Sequence, residues 1–323
     1  MEYVKQIHVK LGMSIGQLVT EMRNCGVLGA GRLAKAVDLV TEMFGDPDYT
    51  VFLTLAGPMV PGGLRRIIKD LIDEEYVDVI MASGANIVHD MMEALGYSHI
   101  KGTLWADDVK LRRRKLGRIG DIYVRQEAFH KLEREIHKFL EDISKKEIEG
   151  PSIRRLLYDF GTKLNDPSSI LTSATKRNAP IFCPGLIDSM IGFHIWTFSQ
   201  LKKFSINPVA DLHELSEIVF KAKKVGAIIL GGGLPKHHVL SACMLREGID
   251  VAVQITLDRP EGGSLSGAPL EEAVSWGKVK ASGKHVTVIG DATMIFPVII
   301  AAALEKLHRK ERLHNRKSRF TSI

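Results

Sequence analysis

The sequence predicts an α/β fold, a doubly wound and mostly parallel sheet with helical decorations. Three observations carry the prediction. Six short apolar or β-branched runs, at 49–57, 77–84, 179–185, 226–233, 250–256 and 285–292, each end in small residues. Near-continuous apolar runs are what strands covered on both faces look like. Stretches of helical periodicity lie between them, and that alternation implies parallel strands joined by crossover helices.

In chain order, MSIGQLVTEMRNC (13–25) reads as an amphipathic helix. GAGRLA (29–34) matches a GxGxxA dinucleotide fingerprint letter for letter, but it follows this helix and not a strand, so it reads as a helix–helix turn. After the strand at 49–57, the stretch 62–76 places Leu64, Ile67, Ile68 and Leu71 on one helical face. The strand at 77–84 follows, then a charged, exposed helix at 127–148 that precedes a small helical insert. The strand at 179–185 leads to a helix at 211–226 with Gly226 as its stop. Then come the strand at 226–233, a helix carrying Pro235, Lys236, His237 and His238, the strand at 250–256, a short helix near 271–277 and the strand at 285–292. With no low-complexity linker and no repeat, residues 1–323 read as one domain, with an N-terminal helical segment (1–45) and a basic tail (306–323).

Composition excludes several classes. Hydrophobic residues make up 45% and charged residues 25%, as in ordinary globular proteins. No apolar run is long enough for a bilayer, and the N-terminus lacks a signal-peptide pattern. Three well-separated cysteines argue against disulfides and a CxxC metal site, and point to a reducing, cytoplasmic compartment. The net charge of +6 is concentrated in 110–118 and 305–320, which read as solvated helix ends. Stacking aromatics are not interleaved with those charges, so neither nucleic acid nor membrane is an expected partner.

Ligands of doubly wound, Rossmann-like sheets bind beyond the carboxyl ends of the strands. The small residues gather there: Gly57, Ser83-Gly84, Gly185, Gly231 to Gly233, Thr256 and Asp291-Ala292. Together they suit a nucleotide-sized ligand whose phosphates meet free N–H groups at helix starts. Of His237 and His238, about 100° apart on a helix, one faces a pocket. Without an i,i+4 partner histidine, neither reads as a zinc ligand. In EEAVSWGKVK (271–280), Pro269 can open a short helix and Gly277 can close it, so Glu272 and Trp276 share a face and Lys278 follows the stop. On the residues alone Lys278 reads as a surface lysine first, with a nucleophile as the alternative. Burial against Trp276 would favour the free amine, whereas a helix end and Glu272 would favour the cation.

MVPGGLRRII (59–68), VDVIMASG (77–84), IFCPGLID (181–188), GGGLPKHH (231–238), GSLSGA (263–268), EEAVSWGKV (271–279) and GDATMIFP (290–297) occur in this order. On these motifs the chain resembles the deoxyhypusine synthase family, from roughly residue 15 to 305. The resemblance implies a Rossmann-like NAD-binding fold and an NAD-dependent transfer of the 4-aminobutyl group of spermidine. The acceptor is a lysine of the hypusine-carrying translation factor. It implies that Lys278 carries the butyl imine, that His237 lies at the amine, and that Glu272, Trp276 and Ser264 hold the polyamine. It maps NAD contacts onto Ser83, Gly84, Asp188, Gly232, Thr256, Asp291 and Ala292, and implies a homotetramer. The chain departs from the eukaryotic-type pattern at three acids, where it has His89, Phe193 and Leu265, and at a TSN motif that aligns with AGP (56–58). Those losses leave open a relative that passes the butyl group to a free diamine, as a homospermidine synthase does. A non-catalytic NAD-binding paralogue is disfavoured because Lys278, Glu272, Trp276 and His237 are all present.

Overall fold

The computed structural model describes residues 1–145 and 150–320, with side chains as far as Arg309. The main strands are β1 Tyr49–Leu55, β2 Val79–Ala82, β6 Ile181–Phe182, β7 Lys224–Leu230, β8 Ile249–Thr256 and β9 Val279–Ile289. They form one sheet in the order β6-β2-β1-β7-β8-β9, and every pair is parallel. The sheet and its flanking helices bear out the α/β fold expected from the alternating pattern. The strand ends are level: Leu55 pairs with Ala82 and Leu230, and Thr256 with Ile289. The order runs outward from β1 in one direction and from β7 in the other, so the crevice between β1 and β7 is the switch point where such sheets take ligands.

Alternate side chains of each strand feed two cores. On one side Val51, Leu53 and Leu55 pack with α1 Ile15–Cys25, α2 Leu28–Gly45, α3 Arg65–Asp73, α4 Gly84–Ala94, α6 Gln126–Ser144, α7 Ile153–Lys163, α8 Ile170–Arg177, α9 Met190–Leu201 and α13 Ala292–Phe320. On the other, Phe52 meets Leu215 and Val219 of α10 Ala210–Lys221 and Val239, Leu240 and Cys243 of α11 Gly233–Cys243. The one-turn helix α12 Glu272–Ser275 buries Ala273 in this second core. A separate antiparallel sheet of β3 Ile100–Lys101, β5 Ile122–Arg125 and β4 Leu116–Ile119, with α5 Asp108–Arg113, was not foreseen. Among the described residues no helix is long and apolar enough to cross a membrane. The charges of the basic tail beyond Arg309 lie outside the described residues, as do residues 146–148 at the end of the charged helix.

Four local expectations need correction. Gly226 is not a helix stop: α10 ends at Lys221, and Gly226 lies inside β7, paired with Val51. A Cβ there would stand 2.4 Å from Met43 Sδ, so glycine lets α2 press against the strand. GAGRLA does not form the interhelical turn but the first turns of α2, and Gly31 lets the helix approach the Gly26 carbonyl. The α6 helix is not simply exposed, because Leu132, Ile136, Phe139, Leu140 and Ile143 form a buried stripe. The stretch from 62 begins as a wide π-helical turn, Val60–Leu64, with Gly63 at φ 91°, and only then becomes α3.

Candidate active site

The turns after β1, β7, β8 and β9 surround a cleft of about 1580 Å³, with the small antiparallel sheet as its far wall. Gly232, Thr256, Asp291 and Ala292 line it. Gly232 is indispensable there, since a Cβ would lie 2.4 Å from Ser266 Cα. The chain after β7 and the loop after β8 therefore touch backbone to backbone, and the Gly233 N–H donates to Ser266 Oγ at 2.9 Å. Asp291 opens α13, accepting at Oδ1 from the Thr293 N–H and hydroxyl, both at 2.7 Å. Bare glycine backbone, a capped helix start and this volume fit a dinucleotide.

Ser83, Gly84 and Asp188 stand outside the cleft lining, at the ends of β2 and β6. They are neighbours, because a Cβ on Gly84 would meet Ser189 Cβ at 2.5 Å. Ser83 Oγ accepts from Asn86 at 3.0 Å, and the same amide nitrogen donates to the Leu55 and Gly57 carbonyls. Asn86 Oδ1 in turn accepts from the Val60 N–H at 3.0 Å. This buried asparagine fixes the turn after β1 from the first turn of α4. Arg65, on the cleft wall, is held by Asp90 and Asp166, each at 2.7 Å.

His237, Glu272, Trp276 and Lys278 do not line this cleft; α11, α12 and the start of β9 bring them together as a second group. Gly277 has φ 65° and ends α12 in a Schellman-type cap, with the Lys278 N–H donating to the Ala273 carbonyl at 3.0 Å. The Lys278 carbonyl accepts from the Ile249 N–H at 3.0 Å, so its backbone is pinned from both sides. Lys278 Nζ lies 5.5 Å from the Trp276 ring centroid. Trp276 itself is 63% exposed, and Glu272 is exposed beside it. His237 is exposed on α11, with Nδ1 3.3 Å from Ser241 Oγ. Partial burial, and then the charge of Lys278, lower its pKa, which favours a neutral imidazole able to take a proton. His238 is half-buried, and burial lowers its pKa too. Ser264 donates to Asp258 Oδ2 at 2.6 Å and accepts from the Gly267 N–H at 3.1 Å, shaping the loop that leads to α12.

The deoxyhypusine synthase family model matches residues 17–303. The chain belongs to the deoxyhypusine synthase family. It is 47% identical over 306 residues to a "Probable deoxyhypusine synthase" of Methanothermobacter thermautotrophicus, covering 94% of this chain and 98% of the relative. A "Probable deoxyhypusine synthase 1" of Methanosarcina acetivorans is 42% identical over 308 residues, covering 95% and 96%. A crystal structure described as a candidate deoxyhypusine synthase from Entamoeba histolytica has the same fold, with a TM-score of 0.66 at 22% identity, covering 90% of this chain and 93% of that one. The chain is thus an enzyme of a transferase family.

Within this deoxyhypusine synthase framework, the three positions that lack acids have different surroundings. Phe193 is 59% exposed on α9, and Leu265 is exposed in the loop after β8. His89 is buried, with Nδ1 2.9 Å from His99 Nε2, while His99 Nδ1 lies 2.6 Å from Glu93 Oε1. Burial, reinforced by His99, pushes the pKa of His89 down to about 4. The bond from His99 holds the Glu93 carboxyl below its ordinary value. Glu93 lines the cleft with Asp121, Asp258 and Asp291, so carboxylates remain there although their positions differ.

Proposed function

We propose that this deoxyhypusine synthase family member transfers the 4-aminobutyl group of spermidine to a lysine of the hypusine-carrying translation factor, with Lys278 as temporary carrier. The observation that carries the reading is Lys278 pinned at the start of β9, with its ammonium 5.5 Å from the Trp276 ring and its charge felt by the His237 imidazole. Gly232, Thr256, Asp291 and Ala292 would hold NAD, with Ser83, Gly84 and Asp188 at the neighbouring strand ends. When bound, NAD would supply the two-electron oxidation of the donor amine carbon and the matching reduction of the product.

Glu272 would pair with an ammonium of the polyamine, and the Trp276 face would take its cationic chain. Neutral His237 would accept the proton released from the secondary amine. The Lys278 amine would then add to the imine carbon, expelling diaminopropane and leaving the butyl imine on Nζ. The acceptor lysine would add in turn and release Lys278 unchanged. Such imines need protection from water. In this chain Trp276, Ile187, Phe193, Trp196 and Leu234 are exposed near these elements. We place further copies over them in a homotetramer, and the enzyme in a reducing cytoplasm where Cys25, Cys183 and Cys243 stay free.

Apolar Phe193 and Leu265 favour a second reading, transfer to a free diamine. Incubation with labelled spermidine, NAD and either the translation factor or putrescine separates the two. Label on the protein factor supports the leading reading, and label confined to free amines refutes it.

A further inference from the structure

Lys236 is 2% exposed, and no step above uses it. Its ammonium donates to Gln254 Oε1 at 3.0 Å, to the Leu265 carbonyl at 3.0 Å and to the Ala268 carbonyl at 2.5 Å. All three N–H groups thereby find acceptors. Gln254, fully buried within β8, passes its own amide protons to the Gly231 carbonyl at 3.1 Å and the Ser266 carbonyl at 2.8 Å. Four carbonyls, two of them flanking the Gly232–Ser266 contact, therefore converge on one lysine–glutamine pair. A buried ammonium is costly to desolvate, and an apolar side chain of the same volume would fill this space without that cost. Burial pushes the Lys236 pKa down to about 8, opposed by Glu272 and aided by Lys278, so its charge is felt by both site residues.

The segment from 264 to 278 carries Ser264, Glu272, Trp276 and Lys278, and strand pairing resumes only at Val279. We propose that Lys236, paired with Gln254, is a positioning residue that locks this segment to the glycine turn and so sets where Lys278 stands relative to the cleft. The catalytic consequence rests on the imine reading above, whereas the lock itself does not.

Two measurements on the full chain, with variants Lys236→Met and Gln254→Leu, separate the two. In hydrogen–deuterium exchange, amides within 264–278 are expected to exchange about tenfold faster while β1 and β7 keep their protection, the scale of one lost charge-assisted hydrogen bond. Unchanged exchange in that segment overturns the lock. In borohydride trapping with spermidine and NAD, the adduct on Lys278 is expected to fall about tenfold in each variant, the double variant being no worse than either alone. Faster exchange with an adduct within twofold of wild type overturns the positioning role. A wild type that forms no adduct refutes the imine reading and leaves the exchange result to decide the lock. If either variant fails to fold, Gln254→Glu takes its place. It keeps an acceptor for Lys236, removes both amide donors, and is expected to release 264–268 alone.

Discussion

Gly232→Ala tests the closest contact in the site. The new methyl would lie 2.4 Å from Ser266 Cα, 2.9 Å from its Cβ and 3.0 Å from its Oγ. Carbon atoms prefer about 3.5–4.0 Å, so the two backbones must part by about 1 Å or more. Two hydrogen bonds cross this contact, Gly233 N–H to Ser266 Oγ at 2.9 Å and Gln254 amide to the Ser266 carbonyl at 2.8 Å. Such a displacement carries both past hydrogen-bonding range. Overpacking costs about 1–3 kcal/mol and each lost bond about 0.5–1.5, giving about 2–6 kcal/mol in all. At about 2 °C per kcal/mol for a chain of this size, Tm should fall by about 4–12 °C. Calorimetry measures it, with Gly29→Ala as control. That glycine sits in α2 with nothing within 4 Å of a Cβ, so alanine should stabilise by about 0.5–1 kcal/mol. A Gly232→Ala melt within about 1 °C of wild type, beside a stabilised control, would mean the loop yields freely and the contact does not hold the site together.

Three further outcomes follow from the same geometry. Lys278→Arg keeps a cation over Trp276 but cannot form the imine, so borohydride trapping should give no adduct at this position; an adduct equal to wild type refutes the carrier role. Asp90, 1% exposed in its side chain, binds Arg65 and accepts from Ser169 Oγ and from the Ile170 and Leu171 N–H groups at the start of α8. Asp90→Ala should cost about 3–5 kcal/mol in denaturant melts, and a cost below about 1 would show the ion pair to be replaceable by Asp166 and Glu93. His89 has a folded pKa of about 4, below the usual 6.5. Between these values the unfolded chain binds the extra proton, so stability from this group is present above about pH 6.5 and lost as pH falls through about 4. Tm should therefore drop less between pH 7 and pH 5 in His89→Gln than in wild type, and equal drops would place the acid sensitivity elsewhere.

Five of the six main strands were legible because they are buried along most of their length, which writes an apolar run followed by small residues, whereas the edge strand β9 buries only alternate residues near its end. The strand-end glycines were legible for the same reason. The antiparallel sheet was hidden because β3 has two residues and β4 and β5 have four each, too few to show a period. Gly226 misled because a glycine that admits Met43 and a glycine that stops a helix are the same letter. The site was half legible. Gly232, Thr256, Asp291 and Ala292 line the cleft, while Ser83, Gly84 and Asp188 stand beyond its wall. Nothing local distinguishes Lys236 from a surface lysine, since its acceptors come from positions 254, 265 and 268. Contacts that distant in sequence are decided by tertiary packing.

The exposure of Trp276 has an optical consequence. The chain has three tryptophans, and Trp105, Trp196 and Trp276 are 92%, 58% and 63% exposed. A single folded copy should therefore emit like indole in water, with little of the blue shift that usually marks a folded core. Any surface that covers the Lys278 end of the sheet, whether another copy or an acceptor protein, removes water from the Trp276 ring. In a variant that keeps Trp276 alone, with Trp105 and Trp196 replaced by phenylalanine, its emission then reads the covering of this surface without label or turnover.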